Sequence, residues 1–220
     1  MAAGLFGDFP ISDDYKLWLS DHDFRKTFQR LSPHNAYSMD RKFVLREFVR
    51  FTASVPGEMA ECGCYQGASA YFMAKEDPAI PLHLFDSFCG LSEPSARDVP
   101  QDSQHMTWQK GDLKAGKQDL LAAVGHLQNV RIYEGWIPER FDEIGHLTFK
   151  LVHIDVDLYQ PTKESLAFFY PRLNPGGVIV LDDYGSTKCP GAYHACNEYM
   201  ADKPEYIVHL PTGQGIIVKA

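Results

Sequence analysis

Glu61-Cys62-Gly63-Cys64-Tyr65-Gln66-Gly67-Ala68-Ser69 is the stretch whose reading decides the fold of this chain. It closes an apolar run, Glu58 to Cys64, that reads as a strand, and it opens Ala68 to Lys75, which reads as a helix. A strand-to-helix turn of this kind is where a parallel α/β sheet admits a ligand. Glycines let the backbone come close, and the first helical turn offers free N–H groups. The spacing, E-x-G-x-x-x-G-x-S, narrows the ligand. A pyrophosphate receptor uses G-x-G-x-x-G, whereas here its second glycine is missing and an acid, Glu61, precedes Gly63. That acid repels a pyrophosphate and suits a cationic amino group. The bland alternative for such a match taken alone is a turn that only packs tightly.

Outward from this turn, short apolar runs alternate with amphipathic segments. Further strand candidates are Leu82 to Asp86, Val130 to Glu134, Phe149 to Val156 and Val178 to Asp182. The clearest helix is Pro161 to Leu173, with Leu166, Phe169, Tyr170 and Leu173 on one face, stopped by Asn174, Pro175, Gly176 and Gly177. Gln118 to Gly125, Pro138 to Ile144 and Ala192 to Ala201 read as helices too. The alternation predicts an α/β fold with a parallel sheet. At the tail, Tyr206 to Leu210 and Gly215 to Lys219 are strands joined by Pro211, Thr212 and Gly213, a turn so short that they pair antiparallel. Ahead of the sheet, Asp13 to Leu31 and Ser38 to Ser54 read as helices without strand partners, the second with Phe43, Val44, Phe48 and Phe51 on one side. They suit a cap or a dimer surface, and the division is a helical cap over 1–54 and a ligand-binding domain over 55–220.

Composition sets the class. The chain has 220 residues, with 21 Lys and Arg against 29 Asp and Glu, a net charge of −8. One domain with a terminal appendage fits this length. No apolar run reaches the roughly 18 residues of a membrane span, and Met1 to Pro10 carries no secretory signal, so a cytoplasmic protein is expected. The acidic balance counts against a nucleic-acid partner. Five cysteines without a C-x-x-C motif read as free thiols, with Cys62 and Cys64 as same-face strand neighbours. Cys189, His194 and Cys196 lack a fourth ligand for zinc.

Acids collect at the predicted strand ends. Asp86, with Ser87 after it, ends the second strand about twenty residues beyond the glycine loop, where an acid accepts both hydroxyls of a ribose. Gly135 and Trp136 end the third and either line an adenine pocket or pack a rim. The fourth ends in Asp155 and Asp157, the fifth in Asp182 and Asp183. If those strands are neighbours, their backbones lie about 5 Å apart, and the crowded carboxylates call for a cation. A hard divalent ion, Mg²⁺, held by Asp155, Asp182 and Asp183 answers that need. An ion-bound hydroxyl loses its proton readily, and Asp157, or Asp155 through its free oxygen, takes it. Asp98 is a further candidate for that task. Asp157 and Asp183 as solvated acids or helix caps is the bland alternative. His153 reads as a satisfied core histidine.

These motifs, together with Phe85-Asp86-Ser87-Phe88-Cys89-Gly90-Leu91, Gly135-Trp136-Ile137-Pro138-Glu139-Arg140-Phe141, His153-Ile154-Asp155-Val156-Asp157-Leu158-Tyr159 and Pro175 to Gly185, resemble the macrocin O-methyltransferase family over roughly residues 35 to 220. Its better-known members use S-adenosylmethionine to methylate sugar hydroxyls on macrolide and aminocoumarin antibiotics. The resemblance implies a Rossmann-like methyltransferase fold: a mostly parallel seven-stranded sheet with an antiparallel C-terminal hairpin and a helical N-terminal lid that supports a homodimer. It implies that Glu61, Gly63 and Gly67 serve the methionine end of the cofactor and Ser69 its carboxylate. Asp86 with Ser87 would hold the ribose, and Gly135 and Trp136 would flank the adenine. It implies Mg²⁺ on Asp155, Asp182 and Asp183, a base at Asp155 or Asp157, and a small-molecule acceptor whose sugar or phenolic hydroxyl is methylated. The N-terminus is shorter than in antibiotic-tailoring members. Two rival readings are a non-catalytic S-adenosylmethionine-binding protein and a nicotinamide-dependent oxidoreductase, whose glycine fingerprint is missing.

Overall fold

In a computed structural model that describes residues 16–33, 38–101 and 107–220, the apolar runs pair into one seven-stranded sheet. Its strands are β1 (Glu58–Cys62), β2 (Leu82–Asp86), β3 (Val130–Glu134), β4 (Phe149–Ile154), β5 (Leu173–Leu181), β6 (Val208–His209) and β7 (Gly215–Val218). The spatial order is β3-β2-β1-β4-β5-β7-β6, with β1 to β5 parallel and β7 antiparallel to both β5 and β6. The helices are α1 (His22–Leu31), α2 (Met39–Phe51), α3 (Ala68–Glu76), α4 (Lys117–Val124), α5 (Tyr159–Phe169) and α6 (Pro190–Met200). Among the described residues no helix is long and apolar enough to cross a membrane.

The sheet is buried on both faces, as its continuous apolar strands require. Strand side chains alternate, so Met59, Leu151, Val178 and Val180 face the cluster that holds Phe28 of α1, Leu45 of α2 and Met73 of α3. Ala60, Val152, Ile179 and Leu181 face the other side, where Leu166 and Phe169 of α5 and Cys196 and Met200 of α6 pack. Residues of the 1–54 segment therefore share a core with the sheet, and the division at residue 54 falls in the turn between α2 and β1.

Several boundaries differ from the sequence reading, each for a local reason. The segment expected as one helix to Leu31 is a 3₁₀ turn, Leu17–Ser20, followed by α1. Asp21 separates them, its carboxylate capping α1 by accepting the Phe24 N–H at 2.9 Å; residues 13–15 of that expectation lie outside the described residues. Of Pro138 to Ile144, only Phe141–Ile144 is helical, as a 3₁₀ turn. Asn174 to Gly177 are not a turn but the start of β5. The tail makes them strand: the Gly176 N–H donates to Lys219 O and the Lys219 N–H to Gly177 O, both at 2.8 Å. Cys64 lies beyond the end of β1, and it and Cys62 fall in the clusters on opposite sides of the sheet.

The largest revision concerns α2. Its buried positions are Lys42, Leu45, Arg46 and Val49, spaced i, i+3, i+4 and i+7, while Phe51 is 61% exposed. Arg46 lies over the rings of Phe24 and Phe43 at 4.8 and 4.9 Å and pairs with Asp21 at 2.8 Å. Its hydrophobic stem and flat guanidinium make it a core residue.

Candidate active site

The strand order reverses between β1 and β4, and a crevice opens at such a switch point beyond the carboxyl ends of the strands. A cleft of about 780 Å³ lies there. Gly63 takes φ +81, and a β-carbon on it would fall 1.8 Å from the backbone oxygen of Asp155, so only glycine lets the β1 and β4 ends meet. Asp86 then organises the loop: its Oδ2 accepts the N–H groups of Cys64 and Tyr65 at 2.8 and 3.1 Å, and its Oδ1 that of Phe88 at 2.7 Å.

Of the residues expected at the cofactor, Gly63, Ser69, Asp86, Ser87, Gly135 and Trp136 line this one cleft. Gly67 and Glu61 do not. Gly67, at φ +84, is the N-cap of α3, and a β-carbon there would meet Leu120 Cδ1 at 2.7 Å, so its role is close packing of α3 on α4. Glu61 is fully buried; its Oε1 lies 2.8 Å from His153 Nδ1, and its Oε2 is buried without a partner among the described residues. A buried carboxylate oxygen left open beside the loop fits a positively charged donor brought by a ligand.

Glu61, His153 and Asp182 form a buried row because they share one face of three adjoining strands, with Glu61 opposite His153 and His153 opposite Val180 in register. His153 Nε2 reaches Asp182 Oδ1 at 3.2 Å. Burial acts to lower the pKa of His153, but the acids on either side outweigh it and hold the ring as an imidazolium, with its pKa raised to about 9. Asp182 Oδ1 also accepts Gln214 Nε2 at 2.9 Å. Its Oδ2 accepts Arg41 Nη1 and lies 3.9 Å from Lys42 Nζ. Burial would raise this carboxyl, yet Lys42, His153 and Arg41 together pull it far below the ordinary carboxylate range.

Asp155, Asp157 and Asp183 line the cleft instead. Lys42 Nζ approaches Asp155 Oδ2 at 3.3 Å. Asp157 sits past the end of β4 at φ +59, a left-handed conformation that Asp tolerates, with its N–H donated to Asp183 Oδ2 at 3.0 Å. Burial and then the neighbouring Asp155 push the Asp157 carboxyl up to about 7. Burial, followed by Asp157 and Asp155, raises Asp183 as well. Asp98 lies elsewhere: Oδ1 accepts the Tyr159 N–H at 2.7 Å and Oδ2 the Ser95 N–H and hydroxyl, both at 2.7 Å, so it caps α5.

The three acids expected to hold Mg²⁺ do not close into one ligand group. Ligand atoms within 4.8 Å of one another join His153 with Asp155 and Asp182, and separately Asp157 with Asp183 and Cys189. The first group is occupied by Arg41, Lys42 and Gln214. The second includes a thiol, which Mg²⁺ does not favour, with its pKa raised by burial and the two nearby acids. As arranged, these donors do not fit an oxygen-coordinated divalent ion on Asp155, Asp182 and Asp183. Sequence reading missed Arg41, Lys42 and Gln214. Nothing in the sequence marks Arg41 or Gln214, and Lys42 shares only the i, i+3, i+4, i+7 spacing with Leu45, Arg46 and Val49.

Fold and cleft define a class, a Rossmann-like sheet of the methyltransferase kind with its ligand crevice at the β1/β4 switch point. The solved O-methyltransferase NovP shares it, with a TM-score of 0.72 over 91% of this chain and 99% of that one at 19% identity. The family described as Macrocin-O-methyltransferase (TylF) matches residues 19–204, and the chain belongs to that family. Over 150 residues it is 30% identical to the 8-demethyl-8-(2,3-dimethoxy-alpha-L-rhamnosyl)-tetracenomycin-C 4'-O-methyltransferase of Streptomyces olivaceus, covering 64% of this chain and 58% of that protein. It is 29% identical over 152 residues to the mycinamicin III 3''-O-methyltransferase of Micromonospora griseorubida, covering 64% and 60%. The chain thus spans less than two thirds of the length of these curated relatives.

Proposed function

We propose that this chain transfers a methyl group from S-adenosylmethionine to a hydroxyl oxygen on the sugar of a small-molecule glycoside. The observation that carries the reading is that the carboxyls of Asp155 and Asp157 line the same cleft as the glycine loop and Asp86. A hydroxyl acceptor entering that cleft meets a proton acceptor beside the site that fits the cofactor. When bound, S-adenosylmethionine supplies an electrophilic methyl. The chain orients the acceptor oxygen in line with it and receives its proton, and orientation contributes most of such catalysis.

Glu61 Oε2, the loop and Asp86 suit the amino group and ribose of the cofactor, and Gly135 and Trp136 its adenine. Asp157 is the base. Asp155 is engaged by Lys42, whereas Asp157 is raised to about 7 by burial and by Asp155, close to the working pH at which a general base is most effective. Trp108, Gln160, Glu164 and Lys188 also line the cleft, and an aromatic ring with donors and acceptors of this kind suits a sugar ring. The donors at Asp155, Asp182 and Asp183 do not fit the expected Mg²⁺. The rhamnosyl group in the name of the Streptomyces olivaceus relative is consistent with a sugar acceptor.

The test pairs calorimetry with mass spectrometry. The chain should bind S-adenosylmethionine, and a panel of deoxysugar glycosides should yield a product heavier by one methyl. Binding without any methylated product across glycosides and phenols would favour a non-catalytic binder, and no binding at all would sink the reading.

A further inference from the structure

Asp182 accepts three hydrogen bonds, from Arg41 at Oδ2 and from His153 and Gln214 at Oδ1, and Lys42 Nζ lies 3.9 Å from its Oδ2. An ionised carboxylate has about four lone-pair sites; three are taken and an ammonium stands beside the remaining one, so a metal ion approaching this group meets two positive charges already in place. We propose that Arg41 and Lys42 are the cation of this site, two fixed positive charges on α2 that stand at Asp182 and Asp155 in place of a divalent ion. The proposal rests on the methyltransferase reading of the cleft and adds where its positive charge comes from.

Charge, position and rigidity agree on this. One guanidinium and one ammonium carry the same charge as a divalent metal. Both residues line the cleft, and Lys42 is only 7% exposed. A buried ammonium without paired acids is strongly destabilising, and the acids nearby are Asp155 and Asp182, at 3.3 and 3.9 Å. The pair is also held in place. Leu45 and Val49, on the next turns of α2, are locked in the core, and Gln214 Nε2 touches Arg41 O at 3.4 Å while it binds Asp182. Positive charge fixed at Asp182 and Asp155 holds the two carboxylates in place, that of Asp155 at the cleft, without the rearrangement that solvent would need. Arg41 and Lys42 act through the acids, and are positioning residues in that sense.

The test uses Mn²⁺ as a spectroscopic probe on the full chain freed of metal by chelator. Expected is that the unaltered chain leaves the electron paramagnetic resonance signal of free Mn²⁺ undiminished at equimolar protein and keeps its methyl transfer in excess chelator. The doubly neutralised variant, Arg41→Met with Lys42→Met, should bind Mn²⁺ about tenfold or more tighter, and adding Asp182→Asn should remove that gain. The charge-preserving pair, Arg41→Lys with Lys42→Arg, should remain blind to Mn²⁺, which a purely structural role for the two side chains does not predict. Tight Mn²⁺ binding by the unaltered chain that disappears in Asp182→Asn would overturn the proposal, whether or not the double variant folds. So would a folded double variant that gains no Mn²⁺ affinity. Absence of S-adenosylmethionine binding would overturn the reading of the cleft instead, and leaves the Mn²⁺ comparison intact.

Discussion

Gly63 and Asp157 carry the sharpest expectations for single residues. A β-carbon at Gly63 collides with Asp155 backbone oxygen at 1.8 Å, and the atom it meets is main chain that has no room to give. Gly63→Ala is expected to separate the β1 and β4 ends, so that soluble protein, if obtained, loses S-adenosylmethionine binding in calorimetry and melts lower; normal binding would contradict this. Asp157→Asn is the opposite kind of change. Asn tolerates the left-handed backbone at φ +59, so fold and cofactor affinity should persist while turnover falls by about 10²- to 10⁴-fold, the range for a lost general base. At this scale the glycine loop and the strand-end acids were legible, since each rests on a residue type with few alternative uses. Arg41 and Lys42 were not, because pattern reading assigns Lys and Arg to solvent, and only the acids opposite them reverse that assignment.

Among elements, the joint of α5, β7 and the loop before β6 depends on Glu205. Its carboxylate, 5% exposed, accepts from Tyr170 hydroxyl, from Lys219 Nζ at 3.0 Å and from the Ala220 N–H at 3.2 Å. Burial alone would raise its pKa; the three donors outweigh it and bring it to about 2, against an ordinary 4.5. The folded value lies below the unfolded one, so this contribution is complete above pH 4.5 and is lost as the pH falls toward 2. Glu205→Gln should therefore melt below the unaltered chain at pH 7, with the gap shrinking steadily between pH 5 and pH 3 in thermal scans; a gap independent of pH would refute the linkage. Asp98→Ala removes the acceptor of the Tyr159 N–H and should cost about 1 kcal/mol in urea unfolding, as for a lost helix cap. Element types were largely readable from periodicity and their ends were not. Asn174 to Gly177 look like a turn in isolation, and become strand only through bonds to Lys219, more than forty residues away in sequence.

At the scale of the molecule, one side of the sheet is an aromatic cluster centred on Phe169, which meets Phe85, Phe141, Phe149 and Phe168 at centroid distances of 4.9 to 6.2 Å. Because Phe169 is fully buried, Phe169→Ala should lower stability by about 3–5 kcal/mol, read from the urea midpoint; a loss under 1 kcal/mol would show that the cluster closes around the gap. The parallel sheet and the antiparallel tail were visible in the sequence because alternation and turn length restrict topology strongly. How the N-terminal helices seat on the sheet was not, since that depends on contacts made across the whole chain.

The Gln214 side chain, meeting Asp182 and the backbone of Arg41, joins positions 173 residues apart in sequence. That distance sets an order in time. Helices and the parallel strands assemble from nearer neighbours, while contacts of such long range close late in folding. A chain emerging from the ribosome presents α2 and the acids after β4 well before the turn that carries Gln214, and Asp182 lacks that donor until the turn arrives. The hairpin that carries Gln214 completes the Asp182 cluster, which makes closure of that cluster a later marker of maturation than helical content.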